Sequence, residues 1–148
     1  MKMLGTVFLC LTAVPAMLGG DTPEQAEIRT LIEKAYINGA FNEQNVADLE
    51  AGFHKDFAFF SAQGAELRRY QIGDCVADIK KHKAGADYDP DAAKIDHNIS
   101  HIDVTGGVAA ARVDLSKNGK LVYTEYLSFI KFADGWKIAA KVYHRHEE

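Results

Sequence analysis

His54, Asp114 and His144 are the side chains best suited to proton transfer near neutral pH, and Arg112 lies two residues from Asp114 on one strand face. Acid–base catalysis needs such a group aimed into a dry pocket, with its pKa drawn toward neutrality. Arg112 and Asp114 allow two readings: a catalytic carboxylate held ionised by its neighbour, or a surface ion pair of the kind that contributes little to stability. His54 sits at a helix-to-strand corner between Phe53 and Phe57. It could act as a base or hydrogen-bond the backbone there. The strands also offer His97 and Glu125.

A second set concerns binding. Tyr36, Phe59, Tyr126 and Trp136, with Arg112, could line a pocket for a flat aromatic molecule. Each aromatic could equally fill core, and an aromatic content of 10% calls for no cofactor. No metal site is expected either. On one strand face His97 and His101 stand about 13 Å apart, too far to share an ion. His144 and His146 are about 7 Å apart by the same rise, at the chain end. Cys75 follows Ile72 and precedes Val76 and Ile79 at helical spacing, which describes a buried thiol rather than a nucleophile.

These residues must be positioned by three helices and six strands. Thr22-Pro23-Glu24-Gln25 is a helix start: a capping hydroxyl, Pro at the first turn, and Gln three residues after the cap. Ile28, Leu31, Ile32, Ala35 and Tyr36 then form one apolar stripe, ending near Gly39 to Asn42. A shorter helix is expected over Asn45 to Phe53 and a third over Gln71 to His82. Phe57 to Ser61 and Glu66 to Tyr70 read as a small hairpin about Gln63-Gly64.

From Lys94 onward four strands follow, separated by Thr105-Gly106-Gly107, Ser116-Lys117-Asn118-Gly119 and Ala133-Asp134-Gly135. Simple alternation groups Ile95, His97, Ile99, His101 and Asp103 on one face of the first. On the last it sets Trp136, Ile138, Ala140, Val142 and His144 against Lys137, Ala139, Lys141 and Tyr143. Helices early and strands late give an α+β fold, with a curved antiparallel sheet packed against three N-terminal helices.

At 148 residues the chain holds one domain, expected over 21–148. A net charge of −4 gives no support to nucleic-acid binding. Residues 1–20 carry Lys2, an apolar run from Met3 to Met17, and small residues before Asp21. This is the pattern of a cleaved secretory signal, so a secreted or periplasmic protein is expected, free of the membrane once the leader is removed. Cys75 is then the one cysteine left, which rules out an internal disulfide.

Several stretches carry a family likeness: His54-Lys55-Asp56-Phe57, Gly64-Ala65-Glu66-Leu67, Tyr123-Thr124-Glu125-Tyr126-Leu127, Asp134-Gly135-Trp136-Lys137-Ile138 and Lys141-Val142-Tyr143-His144. Through them the chain, from about Glu24 to His144, resembles the nuclear-transport-factor-two-like superfamily. Within it the chain is similar to the "putative lumazine-binding" and SnoaL-like (polyketide-cyclase-like) proteins. The resemblance implies a cone-shaped fold with a pocket between the first helix and the concave sheet face, and a homodimer formed through the sheet. Proteins of this kind use the pocket for isomerase, cyclase or dehydratase chemistry, for a ligand, or merely as core. Ala140 stands where many such relatives have Asn, so one polar pocket contact is not expected here. No residue ties the chain to a pteridine ring. The reading that follows is an exported binder of a small hydrophobic or aromatic ligand, without cofactor. The alternative is a cofactor-independent isomerase, cyclase or dehydratase acting on a hydrophobic carbonyl compound.

Overall fold

In the computed structural model, which describes residues 20–147, the first helix opens on the expected capping box. The Gln25 amide donates to Thr22 Oγ1 (3.3 Å) and the Thr22 amide donates to Gln25 Oε1 (2.8 Å). The leader expected over residues 1–20 lies, Gly20 apart, outside the described residues. Helix α1 (Pro23–Leu31) runs without a break into a π-helical stretch (Ile32–Asn42). Ala35, Tyr36 and Ile37 are buried in succession there, because the stretch is covered on two sides, Ala35 by Gly52 of the following helix and Tyr36 by the sheet.

Helix α2 (Val46–Gly52) is capped by Asn45, whose Oδ1 accepts from the Ala47 and Asp48 amides. It crosses the π-helical stretch closely, because a Cβ at Gly52 would lie 2.1 Å from that of Ala35. Helix α3 (Ile72–Lys83) ends on Lys80, Lys81, His82 and Lys83, cations that suit the negative end of its dipole.

The six strands are β1 (Phe53–Gln63), β2 (Glu66–Gln71), β3 (Asp96–Thr105), β4 (Val108–Lys117), β5 (Lys120–Phe132) and β6 (Gly135–Arg145). They form one curved, unclosed sheet in the order β2-β1-β6-β5-β4-β3. The β3–β6 meander and the β1–β2 hairpin are antiparallel, as expected. The seam between them is parallel: Phe59 pairs with Lys141 and Phe60 with Val142. Helix α1 lies over the inner face, with Gln25 Nε2 donating to the Ile102 carbonyl of β3 at 2.8 Å.

The strand pairings shift register at four places, and the irregularities in β3 and β6 correct the expected alternation. In β3, Ser100 is the extra residue between the Ile99–Val113 and His101–Arg112 pairs, so Ile99 and Ile102 both reach the core. His97, opposite buried Leu115, and His101, opposite exposed Arg112, therefore fall on opposite faces rather than one. In β6, Ala139 is the extra residue, because Ser128 pairs with Ala140 while Phe129 pairs with Ile138. Trp136 and Ile138 thus share the inner face with Lys141 and Tyr143, and Ala140, Val142 and His144 turn outward. A bulge bends its strand and re-aims the side chains beyond it.

The inner face carries Ala111, Val113, Leu115, Leu127, Phe129 and Ile138, all 2% exposed or less. Opposite them lie Ile28, Ile32 and Leu49 of the helices. The outer face leaves Val108, Tyr126 and Val142 more than half exposed, at 55%, 53% and 51%.

Candidate ligand-binding site

Tyr36, Glu125 and Lys141 meet where the π-helical stretch crosses β5 and β6. The Tyr36 hydroxyl donates to Glu125 Oε2 (2.5 Å), and Lys141 Nζ donates to both the Tyr36 oxygen (2.6 Å) and Glu125 Oε1 (2.7 Å). Glu125 shares its strand face with Tyr123, Leu127 and Phe129, and Lys141 reaches that face because of the Ala139 bulge. The cluster is deep: the Lys141 and Glu125 side chains are 10% and 3% exposed.

Its surroundings are aromatic. Lys141 Nζ lies 4.8 Å from the Tyr36 ring centroid, 5.1 Å from that of Phe59 and 5.4 Å from that of Tyr143, distances at which a cation is attracted to ring faces. Edge-to-face contacts continue the wall, Tyr36 against Phe41 (5.4 Å) and Phe53 (6.0 Å), and Phe59 and Tyr123 against Tyr143.

These rings enclose a cavity of about 280 Å³, with Tyr36, Glu125 and Lys141 as its polar floor. Leu49, Ile72, Ile79 and half-buried Cys75 complete the walls. At the rim the Tyr70 hydroxyl donates to Asp78, and its ring packs on Phe59 at 4.8 Å. The volume is near the lower end for small-molecule sites, roughly 300–1,000 Å³.

The floor is electrostatically paired, with one ammonium facing one carboxylate. Burial, and next the negative charge of Glu125, hold the Tyr36 pKa well above its ordinary 10.0, so Tyr36 is a neutral phenol that donates its proton to Glu125. Burial likewise raises the Cys75 thiol, which makes it a poor nucleophile at neutral pH.

The sequence matches one family over residues 23–144, described as "Putative lumazine-binding". The chain belongs to that family. Among solved structures it is similar to an NTF2-like protein of unknown function from Shewanella baltica, at 20% identity and a TM-score of 0.63, covering 86% of this chain and all of that one. An NTF-2 like protein of unknown function from Silicibacter pomeroyi gives 21% identity and 0.60, with 82% of this chain and 94% of that one covered. A third, from Methylobacillus flagellatus and also of unknown function, gives 27% and 0.58 over 82% and 94%. A search of curated proteins gives no significant match. The family and the NTF2-like cone fold are thus secure, and the chemistry has to be read from the site.

In this lumazine-binding-family fold the residues singled out from sequence fall into three places. Tyr36 and Phe59 line the cavity. Arg112, Asp114, Tyr126 and His144 gather on the outer face: Asp114 Oδ1 accepts from Arg112 (3.1 Å) and from the Thr124 hydroxyl (2.7 Å), while Tyr126 pairs with Arg112 and His144 with Thr124. His54 and Trp136 stand apart from both. The His54 ring stacks on Phe132 (4.9 Å) and its Nδ1 accepts from the Asp56 amide (3.2 Å). Trp136 is buried beneath α1 and α2, with its indole N–H unpartnered among the described residues.

Of the cluster's two ions, the sequence offers Glu125, with His97, as a strand group open to proton transfer, and it does not single out Lys141 at all. Glu125 left a trace in the sequence, since it shares parity with Leu127 and Phe129 on an otherwise apolar face. Lys141 left none, because strict alternation groups it with Lys137 and away from Trp136 and Ile138.

Lys141→Met strands the Glu125 carboxylate in the interior and is expected to cost about 3–5 kcal/mol in urea unfolding. The combined variant Tyr36→Phe/Glu125→Leu/Lys141→Met replaces the whole cluster with apolar groups and should be at least as stable as the wild type. A loss of several kcal/mol in the combined variant would make the cluster a structural staple.

Tyr36 also sets a pH dependence. Its folded-state pKa lies above the unfolded value, so the native state binds the excess proton and stability falls as pH rises past the ordinary 10.0. Urea-unfolding free energies should decline above pH 10.0, and less steeply in Tyr36→Phe.

Proposed function

We propose that the protein binds a small, uncharged, largely aromatic molecule in the cavity between the π-helical stretch and the inner sheet face. The observation that carries this reading is the wall of aromatic rings around one paired polar cluster, in a space of about 280 Å³. Such a wall offers dispersion and ring contacts to a flat molecule, and a few placed polar groups fix its orientation. The cost of the cluster points the same way. A buried ion pair is weak evidence for stability, since well-packed apolar residues often serve as well or better. Keeping Glu125 and Lys141 at a cavity floor is therefore better explained by recognition.

A second reading, a cofactor-independent isomerase, cyclase or dehydratase on a carbonyl compound, draws on the same cluster. Glu125 and Tyr36 are an ionisable pair in a sheltered cavity, as such chemistry requires. Against it, His54, Asp114 and His144, the groups best suited to proton transfer near neutral pH, lie away from this cavity.

In this reading the chain is exported, on the strength of its apolar leader. Expressed in full in a bacterium, it should be recovered from periplasm or medium without that leader. Native mass spectrometry and thermal shift against a panel of bicyclic aromatics, lumazine included, should find at least one ligand that binds and is released unchanged. Binding by none would end the proposal, and a chemically altered ligand would favour the enzyme.

We further propose that a second copy of the chain covers the outer sheet face. Val108, Tyr126, Val142 and Ile130 form exposed apolar ground there, with Arg112 and Asp114 among them. Light scattering should give twice the monomer mass at micromolar concentration, and Tyr126→Glu with Val142→Glu should halve it. A wild-type monomer would refute the pairing.

A further inference from the structure

The hydrogen-bonding capacity left over at the cavity floor says what kind of molecule fits. Lys141 has three N–H donors, and two are taken, by the Tyr36 oxygen and by Glu125 Oε1. Tyr36 spends its only proton on Glu125 Oε2 and keeps one lone pair. Each Glu125 oxygen accepts once and so has room for another bond. Among the described residues one donor and several acceptors therefore remain, with the Lys141 nitrogen and Glu125 Oε1 only 2.7 Å apart.

From this inventory we propose that the floor reads one edge of a planar, uncharged cyclic amide, the ring N–H donating to Glu125 and the adjacent C=O accepting from Lys141. This rests on the binding reading above and deepens it by naming the ligand's recognition group. The rings of Tyr36, Phe59 and Tyr143 surround Lys141 Nζ at 4.8, 5.1 and 5.4 Å, so a flat body attached to that edge lies among ring faces.

Two rejections follow from the same groups. A carboxylate ligand meets Glu125 at the floor and Asp78 at the rim, against a single ammonium. A molecule with the acceptor but not the donor gives the Glu125 carboxylate nothing in exchange for displaced water, the asymmetry that makes a polar site reject the analogue lacking a group.

The test uses four two-ring probes on the leaderless protein at neutral pH, followed by ligand-observed NMR: 2-quinolinone with both groups, coumarin with the acceptor alone, naphthalene with neither, and 2-naphthoate with a charge. 2-Quinolinone should bind at least about tenfold tighter than each of the others, a conservative figure for a hydrogen bond to a charged group. Its amide proton should move downfield in the complex, a direct sign of the bond that needs no variant. In Glu125→Gln, with folding checked by circular dichroism, the affinity ratio of 2-quinolinone to coumarin should fall toward one. Equal affinity for 2-quinolinone, coumarin and naphthalene would overturn edge recognition while leaving the binding reading intact. Tightest binding of 2-naphthoate would overturn it in favour of anion capture by Lys141. Binding of none of the four would remove this inference, and failure of the wider panel as well would remove the binding reading.

Discussion

A carboxylate and an ammonium are buried side by side in this fold, Glu125 and Lys141 at 2.7 Å with side chains 3% and 10% exposed. Taking two charges out of water costs several kcal/mol per ion after relaxation, and attraction repays it only with good geometry and further hydrogen bonds. The Tyr36 hydroxyl supplies those bonds, bridging the two ions with one bond to each. Tyr36 comes from the helical layer and the ions from adjacent strands, 89 and 105 residues away along the chain. The polar cluster thereby fixes the layer of helices over the sheet at one point. The space beside it is lined by rings whose stiff outlines leave it unfilled.

That arrangement depends on irregularities in both layers. Without the extra residue at Ala139, Trp136 and Ile138 could not share the inner face with Lys141. In the π-wound stretch Ala35, Tyr36 and Ile37 are buried in succession, Ala35 against Gly52 of α2 and Tyr36 against the sheet. Bulges and π-turns each disturb a hydrogen-bond ladder, and both recur beside functional sites because they re-aim side chains. Here two of the cluster's three members sit on or just past such a feature. The cavity and its floor are products of departures from regular structure.

The outer face shows the converse. Asp114 pairs with Thr124 and Thr124 with His144, while Arg112 pairs with Tyr126 and Tyr126 with Val142; regular alternation in β4 and β5 delivers Arg112, Asp114 and Tyr126 there, and the Ala139 bulge adds His144. Alternation picks out residues that share a face but says nothing about whether that face is hollow or flat. Asp114, Arg112 and His144 accordingly drew notice from the sequence as candidate chemistry, and they lie on the side away from the cavity.

The sequence by itself determined the elements: three helices and six strands, with the Thr22 cap and the turns at Gly64, Gly106, Gly119 and Gly135 in place. Those features are set by contacts within a few residues, which capping side chains, period-two patterning and positive-φ glycines encode locally. Only the tertiary structure decided the parallel seam between β1 and β6, the bulges at Ser100 and Ala139, and the meeting of Tyr36, Glu125 and Lys141. A strand's register answers to the partner it packs on, and a single extra residue reverses every side chain beyond it. That reversal is what places Lys141 in the interior.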